Sequence, residues 1–272
     1  MASPLEAGGR PLAVVTGATS GIGEAFALRL AQRGYDVVLV ARRRERLAAL
    51  ANRIVAGSDV DAEVLAADLL VPDERRLVEE RLFGDPRVEL LVNSAGFGSC
   101  GRFAELDPER LVAELQLNGI ANMRLMRAAL PAMLQRGRGS IVNVASSTGF
   151  QPNPYFANYG ATKAFLTSVS QAVAEECRGT GVRILAVCPG PVRTEFAANA
   201  NLDDGRFPGF TLVTTDQVVD VALRALENGK QICIPGAAMS LTAWLTPRLP
   251  GFVSRAFYRW FGRRFYLEPP DA

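Results

Sequence analysis

No histidine occurs anywhere in the 272 residues. That absence excludes Ser-His-Asp and Cys-His nucleophilic mechanisms. It also removes the usual zinc ligands other than cysteine, so no metal site is expected. Acid–base chemistry is left to Tyr, Lys, Asp, Glu or Cys. Cysteine is itself scarce: Cys100, Cys177, Cys188 and Cys233 stand singly, none in a CxxC pair. Scattered single thiols in a chain of this size point to a reduced, cytosolic protein in which each acts as a small buried hydrophobe. No run of roughly 20 uninterrupted apolar residues is present, so no spanning helix is expected. Residues 1–9 lack the basic start and apolar run of a secretory signal. A net charge of +2 gives no reason to expect a nucleic-acid partner.

What the chain does have is apolar residues, 49% of the total, enough for a large core without staples. Short apolar runs at 12–15, 37–40, 64–66, 90–92, 140–144, 183–187 and 231–234 read as strands. Between them, helical patterns are expected at about 23–33, 43–56, 73–82, 108–134, 159–178 and 215–228, with Gly34 placed as a helix C-cap. Continuous apolar strands alternating with helices predict a parallel sheet covered on both faces: an α/β, doubly wound Rossmann-type fold in one domain. The expected layout is a loose tail over 1–10, the Rossmann unit over 11–236 and an extension over 237–272.

The first strand runs into Thr16-Gly17-Ala18-Thr19-Ser20-Gly21-Ile22-Gly23. Glycine permits a tight turn and close backbone approach, and the helix that follows offers its N-terminus to a pyrophosphate. The second strand ends in Ala41-Arg42-Arg43-Arg44 with no carboxylate at its tip. In this fold an acid there holds the ribose 2′-OH of NAD, and a base accommodates the 2′-phosphate of NADP. A guanidinium matches a phosphate by charge and fork geometry. NADP(H) is therefore expected, with Arg42 the main contact and Arg43 its helper; the bland alternative is a solvated basic helix start.

The octapeptide resembles the cofactor loop of the short-chain dehydrogenase/reductase family, and the resemblance recurs in order over about 11–236. Asn93-Ser94-Ala95-Gly96 is similar to the family's NNAG segment, with Ser94 in place of its second Asn. Asn118 falls in a helix like the family's Asn helix, and Ser146 follows the fifth strand. Tyr159-Gly160-Ala161-Thr162-Lys163 is YxxxK, and Pro189-Gly190-Pro191-Val192-Arg193-Thr194 is similar to PGxxxT. The resemblance implies a cofactor site formed by Gly17, Thr19, Ser20, Gly21, Ile22, Gly23, Arg42, Arg43, Asp68, Leu69, Asn93, Ala95, Gly96, Pro189, Gly190, Val192 and Thr194 together with Tyr159 and Lys163. Asp68 would lie near the adenine; from local sequence it reads equally as a helix N-cap.

Tyr159 and Lys163 are four apart and project from one helix face. A phenol titrates near ~10, and a neighbouring ammonium should lower that value. The resemblance implies Tyr159 as proton donor to a carbonyl receiving hydride, Lys163 on the nicotinamide ribose, Ser146 rather than Ser147 polarising the substrate oxygen, and Asn118 holding a relay water. The implied function is an NADP(H)-dependent oxidoreductase for a small-molecule carbonyl or alcohol; the alternative class is a catalytically silent NADP(H)-sensing protein. Substrate-side positions carry Phe97, Phe150, Gln151, Pro152, Asn153, Phe156, Phe196 and Phe207, which predicts a lipophilic ketone, steroid-like molecule or 3-oxoacyl chain, with ordinary lid packing as the alternative. Residues 240–266 interleave aromatics with arginines and contain no acid. Such a segment can lie on an anionic membrane as a peripheral contact, cap the pocket or pack between subunits. The resemblance further implies a homodimer or homotetramer formed through the helices at 108–134 and 159–178.

Overall fold

The computed structural model describes residues 9–200, 202, 207–236, 240 and 251–267. Seven parallel strands form one sheet: β1 (Leu12–Thr16), β2 (Asp36–Ala41), β3 (Ala62–Ala66), β4 (Val88–Asn93), β5 (Gly139–Val144), β6 (Val182–Val187) and β7 (Ile232–Cys233), in the order β3-β2-β1-β4-β5-β6-β7. Successive residues of a strand point to opposite faces. Ala13 and Val15 therefore join one core with Val37 and Leu39, while Val14 joins the other with Val38 and Leu91. Both faces are dry, which is why the strands read as unbroken apolar runs rather than alternating ones.

Helices α1 (Gly21–Gln32) and α2 (Arg44–Gly57) cover the first face through Phe26, Leu30, Leu47 and Ile54. On the second face α3 (Pro72–Gly84) contributes Val78 and Leu82. Chain order reverses between β1 and β4, and such a switch point opens a crevice at the carboxyl ends of the strands. Gly34, at φ +83°, ends α1 in the left-handed conformation expected of its C-cap.

The expected long helix at 108–134 is two helices, α4 (Pro108–Leu115) and α5 (Asn122–Arg136), fused through a π turn at Gln116–Ala121. Asp107 caps α4, its carboxylate accepting from the Glu109 N–H. A π turn inserts extra backbone into a helix and re-aims its side chains; these turns concentrate at functional sites. Asn118 sits inside this one. Beyond it come α6 (Ala157–Glu176), the single turn α7 (Phe196–Asn199) and α8 (Thr215–Glu227). Thr214 and Gln217 form a reciprocal capping box that fixes the start of α8.

The last strand is shorter than the expected 231–234, pairing through Ile232 and Cys233 alone. Short edge strands offer little template for stray pairing. Of the C-terminal extension, 237–239, 241–250 and 268–272 lie outside the described residues; α9 (Gly251–Gly262) and a π turn at Arg263–Leu267 are described. Among the described residues no helix is long and apolar enough to cross a membrane.

Candidate active site

A cavity of about 970 Å³ opens at the switch-point crevice. Its floor begins at the glycine loop. Gly17 has φ +66°, and a Cβ there would meet the Ala95 backbone at 2.9 Å, so only glycine lets the loops after β1 and β4 close on each other. The Thr16 hydroxyl locks that contact by accepting from the Ser94 and Ala95 N–H groups at 3.0 and 3.1 Å. Gly17, Thr19, Ser20, Gly21 and Ile22 all line the cavity. Gly23 does not; lacking a Cβ, it lets α1 press on the Gly17 carbonyl. Ser20, the N-cap of α1, makes no side-chain capping bond, so the first turn keeps N–H groups for a ligand.

Arg42 and Arg43 follow β2 and line the cavity rim. Arg43 donates to the Thr19 hydroxyl at 3.0 Å and pairs with Glu195 at 3.4 Å; Arg42 lies 3.8 Å from Asp68. Asp68 and Leu69 also line the cavity. Asp68 is not a helix N-cap, since that position belongs to Val71; its carboxylate instead accepts from the Leu70 N–H at 3.0 Å in a tight turn. Ala95, Gly96, Phe97, Pro189, Gly190, Val192 and Thr194 complete the walls around the crevice.

Asn93, Phe150 and Asn118, all expected at the site, do not line the cavity. Asn93, fully buried at the tip of β4, spends its amide on the Asn122 carbonyl and Asn143 Oδ1, at 3.1 and 2.8 Å. It braces β4 to α5 and β5 instead of lining the cavity. Phe150 turns away from the cavity and packs with Ala145, Ala186, Cys188 and Ile232 beside the sheet edge, where apolar cover is needed. Asn118 also lies behind the cavity wall. Its side chain accepts from the Phe97 N–H at 3.1 Å and donates to the Phe97 carbonyl at 2.8 Å and to the Thr162 hydroxyl at 3.1 Å. It thereby ties the loop after β4 to α6.

At the centre stand Ser146, Tyr159 and Lys163, all buried and all lining the cavity. The Thr148 hydroxyl donates to Ser146 Oγ at 2.9 Å, and Ser146 in turn hydrogen-bonds the Tyr159 phenol. Lys163 Nζ lies 5.6 Å from the Tyr159 ring centroid and donates to the Val144 carbonyl at 2.8 Å. The expectation that Lys163 governs the phenol is overtaken by burial. Removal from water pushes Tyr159 well above the ordinary phenol range, opposed by the Ser146 bond, and pushes Lys163 down to about 8. Tyr159 stacks on Phe156 with centroids 4.4 Å apart and leans on Phe196 at 5.2 Å.

The model of the short chain dehydrogenase family matches residues 11–205. The chain belongs to the short-chain dehydrogenase/reductase family. This short-chain dehydrogenase/reductase is thus an oxidoreductase acting between alcohol and carbonyl groups with a nicotinamide cofactor. It is similar to a short-chain dehydrogenase from Sphingobium yanoikuyae in complex with NADPH: TM-score 0.81, 36% identity, covering 96% of this chain and 99% of that one. It is also similar to the bulky-bulky ketone specific alcohol dehydrogenase from Comamonas testosteroni, with TM-score 0.77 and 31% identity over 95% of this chain and 96% of that one. A very-long-chain 3-oxoacyl-CoA reductase of Mycosarcoma maydis is 33% identical over 238 residues, 85% of this chain and 65% of that protein.

Sequence reasoning missed several residues of this dehydrogenase/reductase site. Thr148, Arg110 and Asp107 line the cavity without matching any motif. Tyr258, Phe261, Phe265 and Tyr266 of the extension close its far side, Tyr266 lying 5.4 Å from Phe156 and Phe265 stacked on Phe207 at 5.8 Å. The acid-free aromatic pattern of 240–266 carried the signal, but not the direction in which it faces.

Proposed function

We propose that this enzyme transfers a hydride between NADP(H) and the carbonyl or alcohol carbon of a bulky lipophilic molecule, a ketone or 3-oxoacyl chain, with Tyr159 as its proton donor. One observation carries the substrate class: the Tyr159 phenol faces a cavity walled by Phe156, Phe196, Phe207, Phe261, Phe265 and Tyr266. Apolar surface of that extent favours an apolar guest and strands a hydrated one. Aromatics of the extension turned into the cavity favour a lid over a membrane contact, and support reading 237–272 as an addition to the Rossmann unit at 11–236, with its described residues 251–267 on the substrate side. A bulky-ketone enzyme and a long-chain acyl reductase among its relatives support the same class.

The residues present fit NADP(H). The Gly17–Ile22 loop at the start of α1 suits a pyrophosphate, and Arg42 with Arg43 suits a 2′-phosphate. The NADPH-bound relative supports that choice. When bound, the nicotinamide supplies or accepts the hydride. The chain's own residues do the rest. Burial keeps the phenol protonated at neutral pH, so Tyr159 Oη holds a proton for the substrate oxygen. Ser146, oriented by Thr148, donates to the same oxygen and polarises the carbonyl. Lys163 places positive charge beside the phenolate that remains, and Asn118 holds the π turn and the Phe97 loop in register behind them.

NADPH absorbance followed with a carbonyl panel tests the function. Bulky aryl or long-chain ketones should show kcat/KM about tenfold or more above a charged sugar, as expected for burial of one additional large apolar group. Equal activity on the sugar refutes the substrate class, and no consumption with any carbonyl returns the chain to a cofactor sensor.

Val112, Leu115, Ile120 and Phe165 leave an exposed apolar face on α4, the π turn and α6. This face supports pairing into a homodimer or homotetramer. Phe165→Asp should sediment as a monomer at micromolar concentration; an unchanged assembly would place the interface elsewhere.

A further inference from the structure

Glu114 is 0% exposed, and among the described residues both of its carboxyl oxygens lack a hydrogen-bond partner. It lies on α4 one turn before Asn118, where α4 packs on α6. Ser99 and Asn158 stand beside the carboxyl, yet neither closes a well-formed hydrogen bond onto it. Arg110, one turn earlier, is the nearest cation on its own helix. Its charge also acts on the Glu114 carboxyl, while its hydrogen bonds go to Ser99 Oγ and to the carbonyls of Gly98 and Asn199, at 3.1, 3.1 and 2.7 Å. A buried acid without partners costs stability and calls for another explanation.

Lys163 supplies one. Its ammonium is buried, donates to the Val144 carbonyl and, among the described residues, has no carboxylate in ion-pair contact. Two acidic groups act on it through space, Cys188 and Glu114. Burial pushes the Cys188 thiol up to about 12, against a bond from Thr167, so that thiol is neutral across the working pH range. The neighbouring Tyr159 phenol is neutral as well. Among the described residues Glu114 remains as the group able to carry negative charge while Lys163 is positive. Geometry places them together: a Cβ at Gly96 would meet both Lys163 Nζ, at 3.5 Å, and Oδ1 of Asn118, one turn beyond Glu114, at 2.8 Å.

We propose that Glu114 is a positioning residue of the proton chemistry, the buried counter-charge that keeps Lys163 protonated beside Tyr159. Glu114 takes up and releases a proton together with Lys163 as a coupled pair. Ionised Glu114 favours the ammonium by Coulomb attraction in a site where water screens little. Burial raises Glu114 above the ordinary carboxylate value, and the Arg110 and Lys163 charges pull it back down. This proposal rests on the catalytic roles given above to Tyr159 and Lys163.

The chain has two lysines, Lys163 and Lys230. Lysine labelled with carbon-13 at Cε therefore gives two resonances, and Lys163→Arg assigns them. In the unmodified enzyme the Lys163 signal should titrate in two steps, the first at the ionisation of Glu114 and the second at its own. In Glu114→Gln, a near-isosteric replacement for the neutral acid, the first step should vanish and the second should move down by about half a pH unit or more. The alkaline limb of kcat/KM should move down with it, while activity near pH 6 stays within about threefold. Glu114→Asp should restore the two-step curve at least in part. A single-step titration in the unmodified enzyme overturns the proposal, and does so even if Glu114→Gln fails to fold. A Glu114→Gln profile that coincides with the parent at every pH overturns it too. The titration needs no turnover, so failure of the carbonyl panel and failure of this proposal are read separately.

Discussion

Tyr159→Phe is expected to lower kcat by about a thousandfold or more, while NADPH binds within about twofold of its normal affinity. The phenol oxygen is the one feature removed. The ring keeps its stack on Phe156 and its contact with Phe196, so the cavity wall stays in place. Loss of the Ser146 hydrogen bond costs about 1 kcal/mol of stability, too little to unfold a domain with two large cores. The neighbouring groups are poor substitutes, and Lys163 Nζ is held by the Val144 carbonyl. The chain has no histidine, the Cys188 thiol is neutral and engaged with Thr167, and Ser146 is far too weak an acid. Single-turnover absorbance measurements on a good substrate, paired with NADPH fluorescence titration, read the two quantities apart. Residual activity above about a tenth of the parent would remove Tyr159 from the proton step.

The position of Tyr159 was legible in the sequence because it depends on local rules. The i,i+4 spacing puts Tyr159 and Lys163 on one face of α6, and the dry parallel sheet announces itself through apolar runs such as Val37–Val40. The glycine loop was legible for the same reason. Backbone conformation at Gly17 and Gly21 is a property of a few adjacent residues. What the sequence hid depends on contacts between distant segments. Phe150 and Phe156 are alike in sequence, but the end of β6 draws one to the sheet edge and Tyr266 draws the other to the cavity. Asn93 lies in a motif shared with Ala95 and Gly96, yet strand alternation buries its side chain against Asn143, a residue 50 positions away. The π turn at Gln116–Ala121 reads as continuous helix in the sequence, because its residue types do not distinguish it from the helices on either side. Glu114 looks like an ordinary polar position of an amphipathic helix until α6 closes over it. Burial also reversed an inference about chemistry. Proximity of Lys163 suggested a phenol moved down, but removal of both groups from water outweighs their mutual influence.

The double substitution Arg42→Ala with Arg43→Ala should weaken NADPH binding about a hundredfold and leave NADH binding within about threefold. Each guanidinium-to-phosphate contact is a charge-assisted hydrogen bond at a half-exposed rim, where roughly 1.5 kcal/mol apiece is realistic. Two such contacts give about 3 kcal/mol, which is the hundredfold. NADH has no 2′-phosphate and keeps the contacts common to both cofactors at Gly17, Ser20 and the α1 N-terminus. Arg42 should matter at least as much as Arg43, although both line the cavity. Arg43 is already shared with Thr19 and Glu195, so a phosphate must compete with a carboxylate 3.4 Å away, whereas Arg42 is 73% exposed and lies 3.8 Å from its one acid, Asp68. The salt dependence separates the two cofactors further. Raising ionic strength screens exposed charge pairs, so NADPH affinity should fall with salt in the parent enzyme and become nearly flat in the double variant. Fluorescence titration of both nucleotides at two salt concentrations measures all of this without turnover. A hundredfold loss shared equally by NADH would mean that the substitutions had damaged the α2 start or the Thr19 loop, and that the arginines brace the cleft rather than read the phosphate.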